Sequence, residues 1–175
     1  MTFKFPGARS EETDNYTCTV NEAVQTWNED PPNNNQGMQG HLWDLVKQDD
    51  GTYLISSTQE NPSLKEKLFL QASANTPKEF NAAYPRLQRR DNSNRDLQSW
   101  VLLPIYSEIS DYANHPRIFP GYFDTFAIQP KLFPDYALGI QNNGATNHTY
   151  VIANRTYGAP TFSHYWRISK IGVSQ

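Results

Sequence analysis

Histidine and cysteine, which often take part in catalysis or metal binding, are few in this chain, and their spacing matches no known catalytic motif. None of its four histidines belongs to a His-x-x-x-His or His-Glu-x-x-His pattern, and its single cysteine, Cys18, cannot build a finger-type zinc site. No Gly-x-Ser-x-Gly, Walker or dinucleotide-binding pattern occurs. Acidic pairs such as Asp49-Asp50 are expected on solvated turns. We therefore predict no enzyme, no metal site and no cofactor.

Charge and hydropathy exclude two classes of partner. The formal net charge is −3, and no basic run is longer than Arg89-Arg90, so neither nucleic acid nor an anionic lipid surface is expected as a partner. No apolar run approaches the ~20 residues of a membrane span or the apolar core of a signal peptide. Cys18 has no partner for an internal disulfide. We expect a cytoplasmic protein, or one exported without a classical signal peptide, that does not insert into membranes.

Three similar segments mark an internal repeat. Each unit opens on a threonine followed by an aromatic residue and closes on a Trp-x-Leu or Trp-x-Ile element, with threonine-to-tryptophan spacings of 41, 48 and 41 residues. The threonines are Thr2, Thr52 and Thr125, and the tryptophans are Trp43, Trp100 and Trp166. Such spacing indicates one supersecondary unit written three times.

Each unit is predicted to hold four short strands separated by Gly, Pro, Asn and Asp clusters. The predicted strands are Thr2–Phe5, Tyr16–Val20, Val24–Trp27 and His41–Val46; Thr52–Ser56, Leu68–Ala72, Arg86–Arg89 and Leu97–Leu103; Thr125–Gln129, Tyr136–Ile140, Tyr150–Ala153 and His164–Ile171. Twelve strands in three sets predict an all-β protein, a β-trefoil with three pseudo-symmetric four-stranded repeats. One domain covers 1–175, with repeats near 1–47, 48–104 and 124–175 and an insertion near 105–123.

The strand period predicts the core. Residues two apart on a strand share a face, so the aromatic and aliphatic residues of each opening strand pair up there. The pairs are Phe3 with Phe5, Tyr53 with Ile55 and Phe126 with Ile128. The three repeat tryptophans are expected to close this core. His41 and His164 stand two residues before two of those tryptophans and are interpreted as structural.

The first repeat contains a motif of known type. Val24-Gln25-Thr26-Trp27 and then Asn35-Gln36, together with Gln98-Ser99-Trp100 of the second repeat, resemble the Val-x-x-Trp and Asn-Gln-x-Trp signature of ricin B-chain-like β-trefoil lectins, including small fungal lectins. Histidine replaces the glutamine of Gln-x-Trp in the first and third repeats.

The resemblance implies a shallow sugar pocket in each repeat. In that family an aspartate on the second strand accepts bonds from sugar hydroxyls, a ring on the third strand stacks on the sugar, and a following amide adds a polar contact. The position of that aspartate is held by Thr19 in the first repeat, Gln71 in the second and Gly139 in the third. Trp27 supplies the ring in the first repeat, and Tyr150 or Tyr157 would do so in the third. The candidate carbohydrate-binding residues are Thr19, Asn21, Trp27, Asn35, Gln36, Gln71, Asn92, Asn142 and Tyr157.

Function remains open between three readings. The first is a lectin for glycans or glycoproteins, in which weak sites gain avidity from several repeats or from a homodimer. The second is a protease inhibitor similar to mushroom β-trefoil cysteine-protease inhibitors, with a protease bound by the loops Asn75–Tyr84 and Tyr106–Phe123. The third is a protein that binds another protein through the aromatic insertion. For Trp27, stacking on a sugar competes with packing against the barrel.

Overall fold

The computed structural model describes residues 2–4, 20–21, 23–27, 43–72, 84–104, 125–141, 149–156 and 164–168. These residues form eleven strands and one short 3-10 helix, Arg95–Gln98. The strands are β1 (Thr2–Lys4), β2 (Gln25–Trp27), β3 (Trp43–Lys47), β4 (Tyr53–Asn61), β5 (Glu66–Gln71), β6 (Arg86–Gln88), β7 (Trp100–Pro104), β8 (Thr125–Pro130), β9 (Tyr136–Ile140), β10 (Thr149–Arg155) and β11 (Tyr165–Arg167).

The larger sheet links consecutive repeats by antiparallel pairing. Its order is β11-β8-β7-β4-β5-β6, with β3 also paired to β4. The last strand of one repeat therefore pairs with the first strand of the next, as β3 does with β4 and β7 with β8. The first and last strands of one repeat also pair, as β4 does with β7 and β8 with β11.

The smaller sheet joins the first repeat to the third. Its order is β1-β2-β10-β9. Just before β2, the amide of Val24 donates to the carbonyl oxygen of Pro85 at 3.4 Å, and the Val24 carbonyl accepts from the amide of Val151 at 2.9 Å. Ala23 also forms an isolated bridge with Arg86. The chain around Val24 thus contacts both other repeats.

The second and third repeats share one tryptophan geometry. Tyr53 lies opposite Trp100 in the ladder, and Phe126 lies opposite Trp166. Each indole Nε1 donates to a leucine carbonyl on the second strand of its own repeat. The two bonds are Trp100 to Leu70 at 2.9 Å and Trp166 to Leu138 at 2.8 Å. The second and third repeats therefore share one local structure, as the sequence pattern predicted for them.

The core is built from the predicted residues, with one inequality. Ile55, Ile128, Trp100 and Trp166 are buried in one cluster. Trp43 also packs against this cluster, but it is only half-buried and contacts the pair Leu68 and Leu87 as well. All three repeat tryptophans therefore contact the core, as predicted, but Trp43 closes it less completely than the other two.

The aromatic residues that open the strands are also less buried than expected. Tyr53 and Phe126 are half-buried, whereas Ile55 and Ile128, two positions further along, are covered. Tyr53 is the first residue of β4 and Phe126 the second of β8, so both lie near the end of a ladder, where fewer neighbours cover them. In these two pairs the aliphatic member therefore contributes more to the core, and the side chains of Phe3 and Phe5 lie outside the described part of the chain.

The sequence predicted where most of the described strands lie, but it predicted their first and last residues less well. The strand expected to end at Ser56 continues as β4 to Asn61, past a register shift between Ser56 and Glu60. The strand expected over Leu97–Leu103 begins only at Trp100, because Arg95–Gln98 forms the 3-10 helix. The predicted strand Tyr16–Val20 lies outside the described residues apart from Val20, as do the loops Asn75–Tyr84, apart from Tyr84, and Tyr106–Phe123.

Candidate functional site

Several predicted site residues fall outside the described residues. These are Thr19, Asn35, Gln36, Asn142 and Tyr157. Trp27 is the last residue of β2, where its backbone pairs with Thr2; its side chain is not described. Asn21, Gln71 and Asn92 are described together with their side chains, and Gly139 is buried within β9.

Asn21 connects the first repeat to the second. Its backbone is left-handed, with φ of 68°, a conformation that asparagine tolerates better than most residues. Its amide donates to the Leu87 carbonyl at 2.7 Å, and its own carbonyl accepts from the Arg86 guanidinium at 2.6 Å. Its side-chain oxygen accepts from Gln88 Nε2 at 3.2 Å. Asn21 therefore carries contacts between repeats, which the sequence pattern did not reveal.

Gln71 lies at the end of β5, opposite Arg86 of β6. It occupies the position where the resemblance places the sugar-binding aspartate. Its Oε1 accepts a hydrogen bond from Gln98 Nε2 at 3.1 Å. A neutral amide, already bonded inside the protein, thus replaces the expected carboxylate.

Gln98, the glutamine of Gln-x-Trp, is fully buried and organises the surrounding loop. Besides Gln71, its Nε2 donates to the Arg89 carbonyl at 2.7 Å. Its Oε1 accepts from the Asp91 amide at 3.0 Å and from Arg90 at 3.3 Å. Because a buried amide must be satisfied on both its oxygen and its nitrogen, these bonds fix the loop after β6 against the end of β5.

Asn92 lies in a turn that Asp91 holds together. Asp91 Oδ1 accepts from the Ser93 hydroxyl at 2.7 Å and from the amides of Ser93 and Asn94 at 2.9 and 3.1 Å. The Asn94 side chain donates to Asp91 Oδ2 at 3.1 Å. The Ser93 hydroxyl, followed by the Asn94 side chain and the two amides, lowers the pKa of Asp91 to about 2. Asn92 is exposed on this turn, and Gln98 links the turn to Gln71.

Two further side chains border this loop, and the sequence pattern did not single them out. The Arg90 guanidinium carbon lies 5.4 Å from the centre of the Phe69 ring, in a cation–π arrangement. Phe69 sits on β5 opposite Gln88. Burial first, and then the charge of Arg95, lower the pKa of Arg90. In the sequence, the only sign of this contact is that an arginine follows β6 by two residues while the neighbouring strand β5 contains an aromatic residue.

A second polar cluster joins turns from different repeats. Lys131, after β8, donates to Asp96 Oδ1 at 2.7 Å and to Asp50 Oδ2 at 3.2 Å. These bonds, Asp96 first, raise the pKa of Lys131. The hydroxyl and amide of Thr52, followed by Lys131, lower the pKa of Asp50 to about 2. All three charged side chains are exposed, so the cluster orders turns rather than forming a reactive centre.

No metal-binding group emerges from the described part of the chain, where three or more His, Cys, Asp or Glu side chains never gather around one point. The helical content there is also too short and polar to include a membrane-crossing helix.

Comparisons with known proteins give structural likeness without sequence likeness. No family model and no curated protein sequence matches this chain. A mosquitocidal holotoxin aligns over 97% of this chain with a TM-score of 0.61 and 14% identity, and this chain spans only 17% of that protein. A designed threefold-symmetric protein, ThreeFoil, aligns over 97% of this chain and 99% of its own length with a TM-score of 0.54 and 14% identity. Together with the repeated strand pattern, these likenesses establish the fold of this chain as an all-β trefoil.

Proposed function

We propose that this trefoil is a carbohydrate-binding protein that recognises glycans or glycoproteins without catalysing a reaction on them. The observation that carries the proposal is the position of Trp27 at the end of β2, in a trefoil. In the second repeat, Gln98 links the strand and the loop that border the corresponding position. This buried glutamine bonds to Gln71 Oε1 and to the Asp91 amide. It thereby connects the second-strand position that holds the sugar acceptor in ricin B-like lectins with the loop after the third strand.

The first repeat is proposed to hold the main neutral-sugar site. Trp27 ends the third strand of that repeat, which is the family position of the stacking ring, and Asn35 and Gln36 follow it in sequence. A shallow pocket with one stacked ring and two or three hydrogen bonds provides ~4–5 kcal/mol, a Kd on the order of 1 mM. Useful binding then requires several sites or several copies.

Glycan-array binding of wild-type protein and two Trp27 variants tests the proposal. Trp27→Ala removes the ring, and we expect loss of the neutral-glycan signals while circular dichroism remains native. Trp27→Phe keeps an aromatic face and should retain part of the signal. Leu132→Ala, at an exposed leucine in a turn of the third repeat, is the matched control and should bind like wild type. Neutral-glycan binding that survives in folded Trp27→Ala would refute this site.

A further inference from the structure

One short segment of this acidic protein is unusually basic. Four of the eight arginines in the chain lie between residues 86 and 95. Two of them have clear structural duties: Arg86 donates to the Asn21 carbonyl, and Arg89 pairs with Glu66. Arg90 and Arg95 remain to be explained.

Both remaining guanidiniums are held by neutral oxygens. Arg90 donates to Gln98 Oε1 at 3.3 Å, and Arg95 donates to Gln48 Oε1 at 2.7 Å. Within the described ranges, neither forms an ion pair with a carboxylate. The two positive charges are close enough for Arg95 to disfavour the charged form of Arg90.

The neighbouring acids are already occupied. Asp91 attracts Arg90 electrostatically, but both of its carboxylate oxygens accept bonds from Ser93 and Asn94. Asp96, next to Arg95 in sequence, bonds to Lys131. These contacts leave the positive charge of Arg90 and Arg95 without a direct anionic partner among the described residues.

Arg90 is also preorganised. Phe69 supports one face of its guanidinium, and Gln98, itself fixed by three other hydrogen bonds, holds one of its nitrogens. The side chain is half-buried, whereas Arg95 is exposed. A partly desolvated guanidinium fork with remaining donors suits a planar or tetrahedral oxyanion.

We propose that Arg90 and Arg95 form a binding site for an anionic group, the sulfate or carboxylate of an acidic glycan. The exposed side chains of Asn92 and Ser93 lie on the intervening turn and offer amide and hydroxyl groups to the sugar that carries the anion. The choice of a glycan as carrier rests on the proposed function; the anion site itself does not.

Calorimetric titration of the full chain with dextran sulfate and with uncharged dextran of equal length tests the site. We expect binding of dextran sulfate only, weakened by added NaCl. Arg90→Gln and Arg95→Gln should each weaken it about tenfold, the loss of ~1.4 kcal/mol expected for a charge-assisted contact. Arg155→Gln, which removes an exposed arginine from β10 in the third repeat, is the matched control and should change binding little. Sodium sulfate should compete with dextran sulfate.

Variants and probes separate the alternatives. Arg90→Lys keeps the charge without the fork and should fall between wild type and Arg90→Gln. If Arg90→Gln fails to fold, the exposed Arg95 variant still decides. Equal binding of dextran and dextran sulfate, or an equal loss in Arg155→Gln, would overturn the site. Poly-glutamate binding as tightly as dextran sulfate would overturn the choice of a glycan.

The two proposals can fail separately. Neutral glycans that bind in a Trp27-dependent way, without preference for dextran sulfate, would support the proposed function and overturn the anion site. Arg90-dependent binding of dextran sulfate, with no signal from neutral glycans, would support the anion site and overturn the Trp27 site.

Discussion

Gln98 Nε2 lies 3.1 Å from Gln71 Oε1, and this hydrogen bond joins the end of β5 to the turn that precedes β7. Neither amide is exposed: Gln98 is fully buried and Gln71 is half-buried. The glutamine of the Gln-x-Trp motif thus connects the end of a strand to the loop beside it.

Replacing Gln98 by methionine should destabilise the protein by about 3 kcal/mol. The two side chains have similar volume, so the main loss is the set of hydrogen bonds to Gln71, Arg89 and Asp91, which leaves buried polar groups unpaired. The free energy of unfolding from urea titration measures the effect. Gln88→Met, a half-buried glutamine with one described side-chain bond, should cost about 1 kcal/mol or less. Equal costs would contradict the role assigned to Gln98.

The three repeat tryptophans should respond unequally to substitution by phenylalanine. Trp100→Phe and Trp166→Phe each remove a buried N–H that bonds a leucine carbonyl and reduce core volume, so each should cost about 2–3 kcal/mol. Trp43→Phe should cost less, because part of the Trp43 side chain is already in water. Differential scanning calorimetry orders the three variants. A Trp43 variant as damaged as the other two would contradict this ranking.

Acid should weaken the turn built around Asp91. The pKa of Asp91 is lowered from 3.8 to about 2 in the folded protein. The carboxylate therefore contributes stability fully above pH ~4, and that contribution is lost as the pH falls toward about 2. The urea midpoint of wild type should drop over this interval. Asp91→Asn should be less stable at neutral pH and show a smaller drop. Parallel pH profiles would show that Asp91 does not contribute.

Two substitutions at Asn21 separate backbone strain from the hydrogen bond to Gln88. Alanine disfavours the left-handed φ of 68° more than asparagine does, and Asn21→Ala also removes the side-chain acceptor. The combined cost in the free energy of unfolding should be about 2 kcal/mol. Asn21→Gly relieves the backbone and loses only the acceptor, so it should cost about 1 kcal/mol. Chemical denaturation of both variants gives the comparison. A glycine variant less stable than the alanine variant would contradict the left-handed conformation.

The architecture was predictable because it depends on repeated local patterns. Thr-aromatic openings and Trp-x-Leu or Trp-x-Ile closings recur three times, and the structure pairs them in the same way at Tyr53 with Trp100 and at Phe126 with Trp166. Strand alternation likewise predicted burial of Ile55 and Ile128. Patterns of this kind survive loop variation because each repeat must contribute the same residues to a shared core.

The environment of the candidate site was not predictable in the same way. The contacts of Asn21 with Leu87 and Gln88, and of Arg90 with Phe69 and Gln98, join residues from separate strands and loops. No spacing in the sequence encodes those distances. The strand pattern placed Gln71 on the second strand of its repeat, as observed, but its partner Gln98 became apparent only from the geometry.

The pairing of β2 with β10 has a consequence for synthesis in the cell. Thr26 lies opposite Thr149 in this ladder, so the strands of the first repeat find their neighbour only when the third repeat is nearly complete. Long-range pairing of this kind slows folding and leaves strand edges unpaired until the third repeat has been synthesised. A nascent chain stalled after its second repeat would expose the β1–β2 edge and be prone to aggregation. This trefoil therefore completes its folding only after its third repeat has been synthesised, and chaperones would act on it mainly before that point.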